Sequence, residues 1–271
     1  MTTILALGAE KQAATSLAAA YPDCTVIFVS DRDILDGSDL INVRMVHARP
    51  ADAAKLAASA DHVVPLCARW LPGNYALSTV FDRLERALPG LCLPIRMHPP
   101  SSGQWIVKGD RWSRPDAPLS GDARQLADVT DPHGCGLVFQ VYSETTATIM
   151  SVGRREHVGG VHIGILKIFQ ERFFRDAILQ AGETIDAPEL LHASIDILDA
   201  LDHRGYFTLN WVQTDEGLRL SSFRPIPRAV FQSFLRGGVD ILGSVSAVKI
   251  VAAGMRLIAS PTYVSFERLS T

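Results

Sequence analysis

The 271-residue chain has no apolar run approaching the ~20 residues that a membrane-spanning helix needs. Its opening stretch, MTTILALGAEKQ, has neither a basic leader nor a cleavage pattern, so a cytoplasmic protein is expected. Net charge is only −3, which excludes a chain-wide attraction to nucleic acid or to anionic lipid. Cysteine is scarce and dispersed. Cys24, Cys67, Cys92 and Cys135 form no CxxC pair, and reduced, buried thiols are expected. No HExxH occurs, and His157 and His162 flank Gly159-Gly160 as hairpin residues rather than as a ligand pair, so no metal-ligating residue is assigned. The first apparent strand runs into Gly8-Ala-Glu-Lys instead of a G-x-G-x-x-G turn, which argues against a nicotinamide enzyme. What remains is 47% hydrophobic and 20% charged residues, enough for a substantial core in one large domain or two compact ones.

The front of the chain alternates strand and helix. Thr3 to Leu7, Thr25 to Val29, Ile41 to Val46 and His62 to Cys67 read as strands, with an Ala-rich helix over 9–20 and a short helix over 50–60 between them. Leu77, Val80, Phe81, Leu84 and Leu88 keep helical spacing, and Leu91 to Ile95 reads as a last strand of the same parallel sheet. Arg69 follows the fourth strand, at the carboxyl end where α/β sheets collect ligands. His98-Pro-Pro-Ser-Ser-Gly103 is a stiff polar breaker and divides the chain into residues 1–98 and 104–271.

Beyond the breaker, Gln104 to Lys108 and Gly136 to Tyr142 read as strands, and Glu144 follows the second. Further strands are expected over 145–152 and 158–169. Helices are expected over 169–181, 188–201 and 246–259, with a short strand at 263–266. The strongest local signal is a hairpin. Tyr206 to Val212 alternates aromatic and β-branched residues, Thr214-Asp-Glu-Gly217 turns, and Leu218 to Phe223 returns. The exit, Arg224-Pro-Ile-Pro-Arg228, puts two guanidinium groups near a strand end, where they suit an anion.

These pieces occur in an order that resembles the ATP-grasp superfamily. Gly205-Tyr-Phe-Thr-Leu-Asn210-Trp, Asp215-Glu-Gly217 and Leu220-Ser-Ser-Phe-Arg-Pro225 resemble its G-x-x-x-V-D-F, D-G and L-L-E-x-N-P-R sequence. Ile106-Val-Lys108 resembles its V-V-K-P strand, and Val138-Phe-Gln-Val-Tyr142 its hinge strand. The resemblance spans roughly residues 104–243 and implies an α/β (α+β) fold. A small parallel domain of the kind that precedes ATP-grasp cores would be followed by a two-lobed core, with a lid lobe over about 104–140 and a core lobe over 141–271.

The resemblance also implies chemistry. Lys108 would hold nucleotide phosphates. Gln140, Val141 and Tyr142 would read the adenine edge through their backbone, and Glu144 would meet the ribose or a substrate amine. Asn210 would face the nucleotide, Arg224 and Arg228 would steady an acyl phosphate, and Arg69 would take a substrate carboxylate. The expected activity joins a small-molecule carboxylate to an amine or thiol, with ATP as cofactor and Mg²⁺ as its usual companion. A homodimer is the family habit. The chain departs from the pattern at the chemical positions. Ser222 stands where the family has its metal-binding Glu, Arg224 where it has Asn, and Asn210 where it has a strand acid. Asp215, Glu216 and Asp240 are the nearby carboxylates left for a cation. The segment 111–121, with Arg111 and Arg114, replaces a Gly-rich flap. Either it closes with arginines or it no longer covers a triphosphate. The alternative expectation is therefore a catalytically degenerate relative that binds a nucleotide, an anion or a partner.

Overall fold

The computed structural model describes residues 2–8, 17–31, 42–67, 70–71, 75–110, 120–122, 126, 129–131, 136–141, 148–156, 160–174, 177–226, 242, 247–259 and 264–268, the backbone alone at 148, 169–174, 177–180, 257–259 and 264–268. β1 (Thr3–Leu7), β2 (Thr25–Ser30), β3 (Val43–His47) and β4 (His62–Pro65) form a parallel sheet in the order β3-β2-β1-β4. The two central strands alternate between two apolar layers. Ile4, Ala6, Val26 and Phe28 face a larger sheet, while Leu5, Leu7 and Val29 face Ala53 and Trp70 on the other side. Between β3 and β4, Ala53–Ala57 forms the one-and-a-half-turn helix α1.

Helix α2 (Leu77–Ala87) buries Leu77, Val80, Phe81 and Leu84, as their spacing predicts. Its first turn is capped from a distance. The Asp110 carboxylate accepts from the Ser78 N–H (2.7 Å) and hydroxyl (2.9 Å), and the Asp110 carbonyl accepts from the Leu77 N–H (2.8 Å). Otherwise orphaned helix donors thus fix the end of a second, antiparallel sheet against α2. That sheet holds β5 (Ile95–Arg96), β6 (Gln104–Gly109), β7 (Ser120–Asp122) and β8 (Leu137–Val141), in the order β5-β8-β6-β7. One face packs Trp105, Val107 and Phe139 around Leu126. The opposite face carries Lys108 across from Val138, with Ile106 across from Gln140.

The large sheet runs β13-β12-β9-β10-β11-β15-β16, with β14 paired to the start of β10. Its strands are β9 (Thr148–Arg155), β10 (Val161–Phe174), β11 (Ala177–Thr184), β12 (Gly205–Thr214), β13 (Gly217–Arg224), β14 (Val248–Ile250), β15 (Met255–Ala259) and β16 (Val264–Arg268). Helix α3 (Pro188–Ala200) lays Leu190, Ile197 and Leu198 over Ile163, Ile165, Phe207 and Leu209. Within that layer the buried Ser151 hydroxyl accepts from Trp211 Nε1 and meets the Ser194 hydroxyl, both at 2.8 Å. The other face of β9, β10 and β12 receives the parallel sheet through Met150, Val152, Leu166, Ile168 and Tyr206.

Three expectations fail here. The helix expected over 169–181 is the hairpin of β10 and β11, joined by the two residues between Phe174 and Ala177. Its three phenylalanines favour a pleated ladder over a helix, and the ladder of β10 with β11, continued onto β15 at Gln180 and Ala181, decides the matter. The helix expected over 246–259 is instead β14 and β15, because Gly254, at φ +77°, turns the chain between them. Leu91 to Ile95 is not a fifth parallel strand. Cys92 makes one parallel bridge to Leu220, and Ile95 pairs with Gln140 in the antiparallel sheet.

Two consequences are measurable. A Cβ on Gly153 would stand 2.0 Å from the His162 carbonyl oxygen and 2.9 Å from Phe207 Cζ. Gly153→Ala is therefore expected to lose roughly 1–3 kcal/mol or more in urea unfolding, as overpacked cores do. His203 donates from Nε2 to the Tyr206 carbonyl (2.8 Å) and sits edge-on to Tyr75 and Phe223. Burial first, and then the nearby Arg155 and Arg204 charges, lower its pKa to about 4 against the hydrogen bond to Tyr206. The folded state then binds fewer protons than the unfolded one between the ordinary value of 6.5 and about 4. Stability from this group is complete above 6.5 and falls as pH drops toward 4, by up to about 3 kcal/mol. Denaturant midpoints across that window should show the slope, and His203→Gln should flatten it.

Candidate functional site

The candidate site forms where the antiparallel sheet meets the outer edge of β13. β12 and β13 pair in register from Thr208↔Arg224 through Leu209↔Phe223 to Asn210↔Ser222, and then skip a residue, so that Trp211 faces Leu220. Ser221 is the extra residue of a β-bulge. Such a residue leaves the ladder and frees its backbone groups for other partners. The ammonium of Lys108 takes the freed carbonyl, donating to Ser221 O at 2.8 Å and to Gln140 Oε1 at 2.5 Å. One lysine thus ties β6, β8 and β13 together.

Alternation along the hairpin then sets which side chains share this surface. Leu209 and Phe223 point into the core under α3, so Thr208, Asn210, Ser222 and Arg224 lie on the opposite face. Asn210 Nδ2 donates to the Ser222 hydroxyl at 2.7 Å, and the Thr208 hydroxyl donates to the Ile226 carbonyl at 2.9 Å. Among the buried side-chain atoms of the described residues that have no hydrogen-bond partner are a donor, Gln140 Nε2, and an acceptor, Asn210 Oδ1. Gln140 is 1% exposed, so water does not compensate its amide at the surface. Native interiors rarely leave such groups unpaired, and a polar ligand is one way to satisfy them.

Lys108, Gln140, Asn210 and Arg224 are therefore gathered around the β12–β13 hairpin, and Val141 lies exposed at the end of β8. Arg69, Tyr142, Glu144 and Arg228 lie outside the described residues, as do Arg111, Arg114 and Asp240. Asp215 and Glu216 prove remote. They occupy the hairpin turn, six or seven residues from Ser222, or roughly 20 Å along an extended strand. There they line a groove of about 800 Å³ with Phe81, Cys92, Ile95 and Met97. That groove shares no residue with the Lys108 cluster. Its carboxylates are partly neutralised at the surface, Glu216 by Arg219 and Asp82 by Arg86. Burial, with the Glu85 charge beside it, pushes the Cys92 thiol up to about 12, which makes it unreactive near neutral pH. Arg154 is a residue of β9. It stacks over Tyr206, pairs with Glu156 and donates to the Leu242 carbonyl.

Sequence reading missed the Ser221 carbonyl, because a backbone group has no side-chain signature. It gave Gln140 a backbone role and did not foresee the hydrogen bond that its side chain accepts from Lys108. A trace of the bulge is nevertheless present in the sequence. The core residues of β12, Leu209 and Trp211, are two apart, whereas their partners Leu220 and Phe223 are three apart.

This donor set does not fit a magnesium ion. Hard divalent cations take carboxylate and other oxygen ligands. Lys108, Gln140, Asn210, Ser222 and Arg224 include no carboxylate, and two of them are cations. Among the described residues, no group of three or more His, Cys, Asp or Glu side chains is placed to hold a metal.

No protein-family model and no curated protein matches the sequence. Solved structures do match in shape. An N5-carboxyaminoimidazole ribonucleotide synthetase in complex with ADP superposes at TM-score 0.68, with 12% identity over 95% of this chain and 80% of that one. An L-amino acid ligase from Bacillus licheniformis gives 0.57 at 12% identity, over 89% and 73%. A D-alanine–D-alanine ligase from Bacillus anthracis gives 0.52 at 11%, over 84% and 87%. The chain has the ATP-grasp fold. At such identities the likeness establishes architecture and a divergent sequence. It places the parallel α/β sheet, the antiparallel sheet and the β12–β13 hairpin in one known arrangement.

Lys108→Met removes a charged donor from two buried acceptors. A loss of about 1–3 kcal/mol is expected in urea unfolding. A Lys108→Met/Gln140→Leu double-mutant cycle should show coupling of about 0.5 kcal/mol or more, and strict additivity would remove the bridge from the account of stability.

Proposed function

We propose that the chain is a nucleotide-dependent ligase of ATP-grasp type that joins a small-molecule carboxylate to an amine or thiol. In this reading a carboxylate oxygen attacks the γ-phosphorus of ATP and ADP leaves. The amine or thiol then attacks the acyl carbon and phosphate leaves. The transferred phosphoryl carries spread negative charge, so the protein's task is positioning and positive charge rather than acid–base work. Lys108 faces the phosphates, and Arg224, with Arg228, steadies the acyl phosphate. Gln140, Val141 and Tyr142 border the base, Glu144 the ribose, Asn210 the phosphate end, and Arg69 the substrate carboxylate. The observation that carries the proposal is the convergence of Lys108, Gln140, Asn210 and Arg224 around one hairpin, with a buried donor and a buried acceptor unsatisfied. The ADP complex and the two ligases among the structural neighbours support it.

A second reading, a nucleotide- or anion-binding module without turnover, is favoured by one feature: among the described residues the cluster has no carboxylate. ADP release on mixing ATP with carboxylates and amines separates turnover from binding alone.

Thermal unfolding tests both readings at once. ATP or ADP at ~100 times its dissociation constant should stabilise the folded chain by about 2.7 kcal/mol. Lys108→Met, held at a temperature where it is folded, should bind at least ~tenfold more weakly, a loss of about 1.4 kcal/mol. An unmoved melting curve for the unsubstituted chain with either nucleotide would sink the ligase reading.

A further inference from the structure

The misfit between this donor set and magnesium has a direct consequence for what the site takes. We infer that it binds the phosphate tail of a nucleotide without a divalent cation, the guanidinium of Arg224 and the ammonium of Lys108 standing in for the metal. The inference rests on the nucleotide reading above and adds to it.

The register of the hairpin provides the argument. Asn210 lies opposite Ser222 and Arg224 lies opposite Thr208, all on one face, so the hairpin surface offers one neutral amide, two hydroxyls and one cation. Two of these groups already spend hydrogens locally: Asn210 Nδ2 on the Ser222 hydroxyl and the Thr208 hydroxyl on the Ile226 carbonyl. The acceptors left on this face are all neutral, Asn210 Oδ1 and the lone pairs of the Thr208 and Ser222 hydroxyls, and they are a poor start for a shell that magnesium fills with carboxylate oxygens. A divalent cation would also have to lie beside Arg224 on the same face and near Lys108, whose ammonium reaches the adjoining residue, Ser221. Like charges gathered at one half-buried strand disfavour one another. The same geometry suits an anion. The planar guanidinium of an arginine matches phosphate oxygens, and the Lys108 ammonium is a compact point charge.

The test is calorimetric titration of the full-length chain with ADP, once in EDTA and once in excess MgCl₂. Dissociation constants within about threefold of each other are expected, a difference worth less than about 0.7 kcal/mol. Affinity at least ~tenfold tighter with magnesium would overturn the inference while leaving the nucleotide reading intact. Binding in neither buffer would overturn both. Ser222→Glu supplies the reciprocal arm by placing a carboxylate opposite Asn210. With folding confirmed by circular dichroism, its ADP affinity should fall in EDTA and recover in MgCl₂. A variant whose affinity ignores magnesium would show that the hairpin face does not touch the phosphates, which also defeats the inference.

Discussion

A single ammonium group at a sheet edge organises this molecule's candidate chemistry. Lys108 belongs to the small antiparallel sheet, yet it donates to the backbone of the large sheet at Ser221 and to Gln140 on the neighbouring strand. A half-buried lysine needs acceptors, because its charge is costly to remove from water. These two acceptors lie on two strands, so satisfying the lysine also fixes how those strands approach. Asp110, two residues on, does the same job toward α2 by capping its first turn. One strand end is thus held from both sides by polar groups.

The bulge at Ser221 makes this possible. In a regular ladder every carbonyl of β13 would be committed to β12 or directed outward at fixed intervals. One added residue frees a carbonyl at the point where β6 arrives, and it moves Phe223 back into step with the core under α3. Upstream, the outward groups of Leu220 are used by Leu91 and Leu93. The edge of the large sheet is therefore occupied rather than bare, which also removes a template for unwanted strand pairing.

How much of this the sequence discloses depends on the kind of signal. The parallel front sheet, α2, α3 and the β12–β13 hairpin are legible because their apolar residues keep a clear period and their turns carry Gly. The stretch 169–181 is not legible, because its Phe, Ile and Leu residues satisfy both a helical and a pleated spacing; only pairing across the β10–β11 hairpin and with the distant β15 decides it. The stretch 246–259 misleads through small apolar residues, with Gly254 as the overlooked breaker. In the site, Lys108, Asn210 and Arg224 are recoverable from their order along the chain. The Ser221 carbonyl and the side-chain role of Gln140 are not, since both arise from contacts across 32 to 113 residues.

Among its described residues the cluster holds two cations and no carboxylate, and this charge pattern bears on how it would meet a phosphate. A magnesium ion held by one carboxylate brings the phosphates one net positive charge. A guanidinium on the same strand brings the same net charge with no dependence on the metal. The two devices differ in geometry. Magnesium fixes oxygens of adjacent phosphates around a small octahedron and so aligns the reacting phosphorus, whereas a guanidinium grips oxygens in one plane on a flexible stem. Exchanging one for the other preserves attraction and weakens alignment. Binding depends on the first quantity and phosphoryl transfer on both. The ligase and binding-module readings therefore diverge at one physical point: how firmly Arg224 is held. Its place on a paired strand, opposite Thr208 and next to a core-buried Phe223, restrains the backbone from which that guanidinium projects.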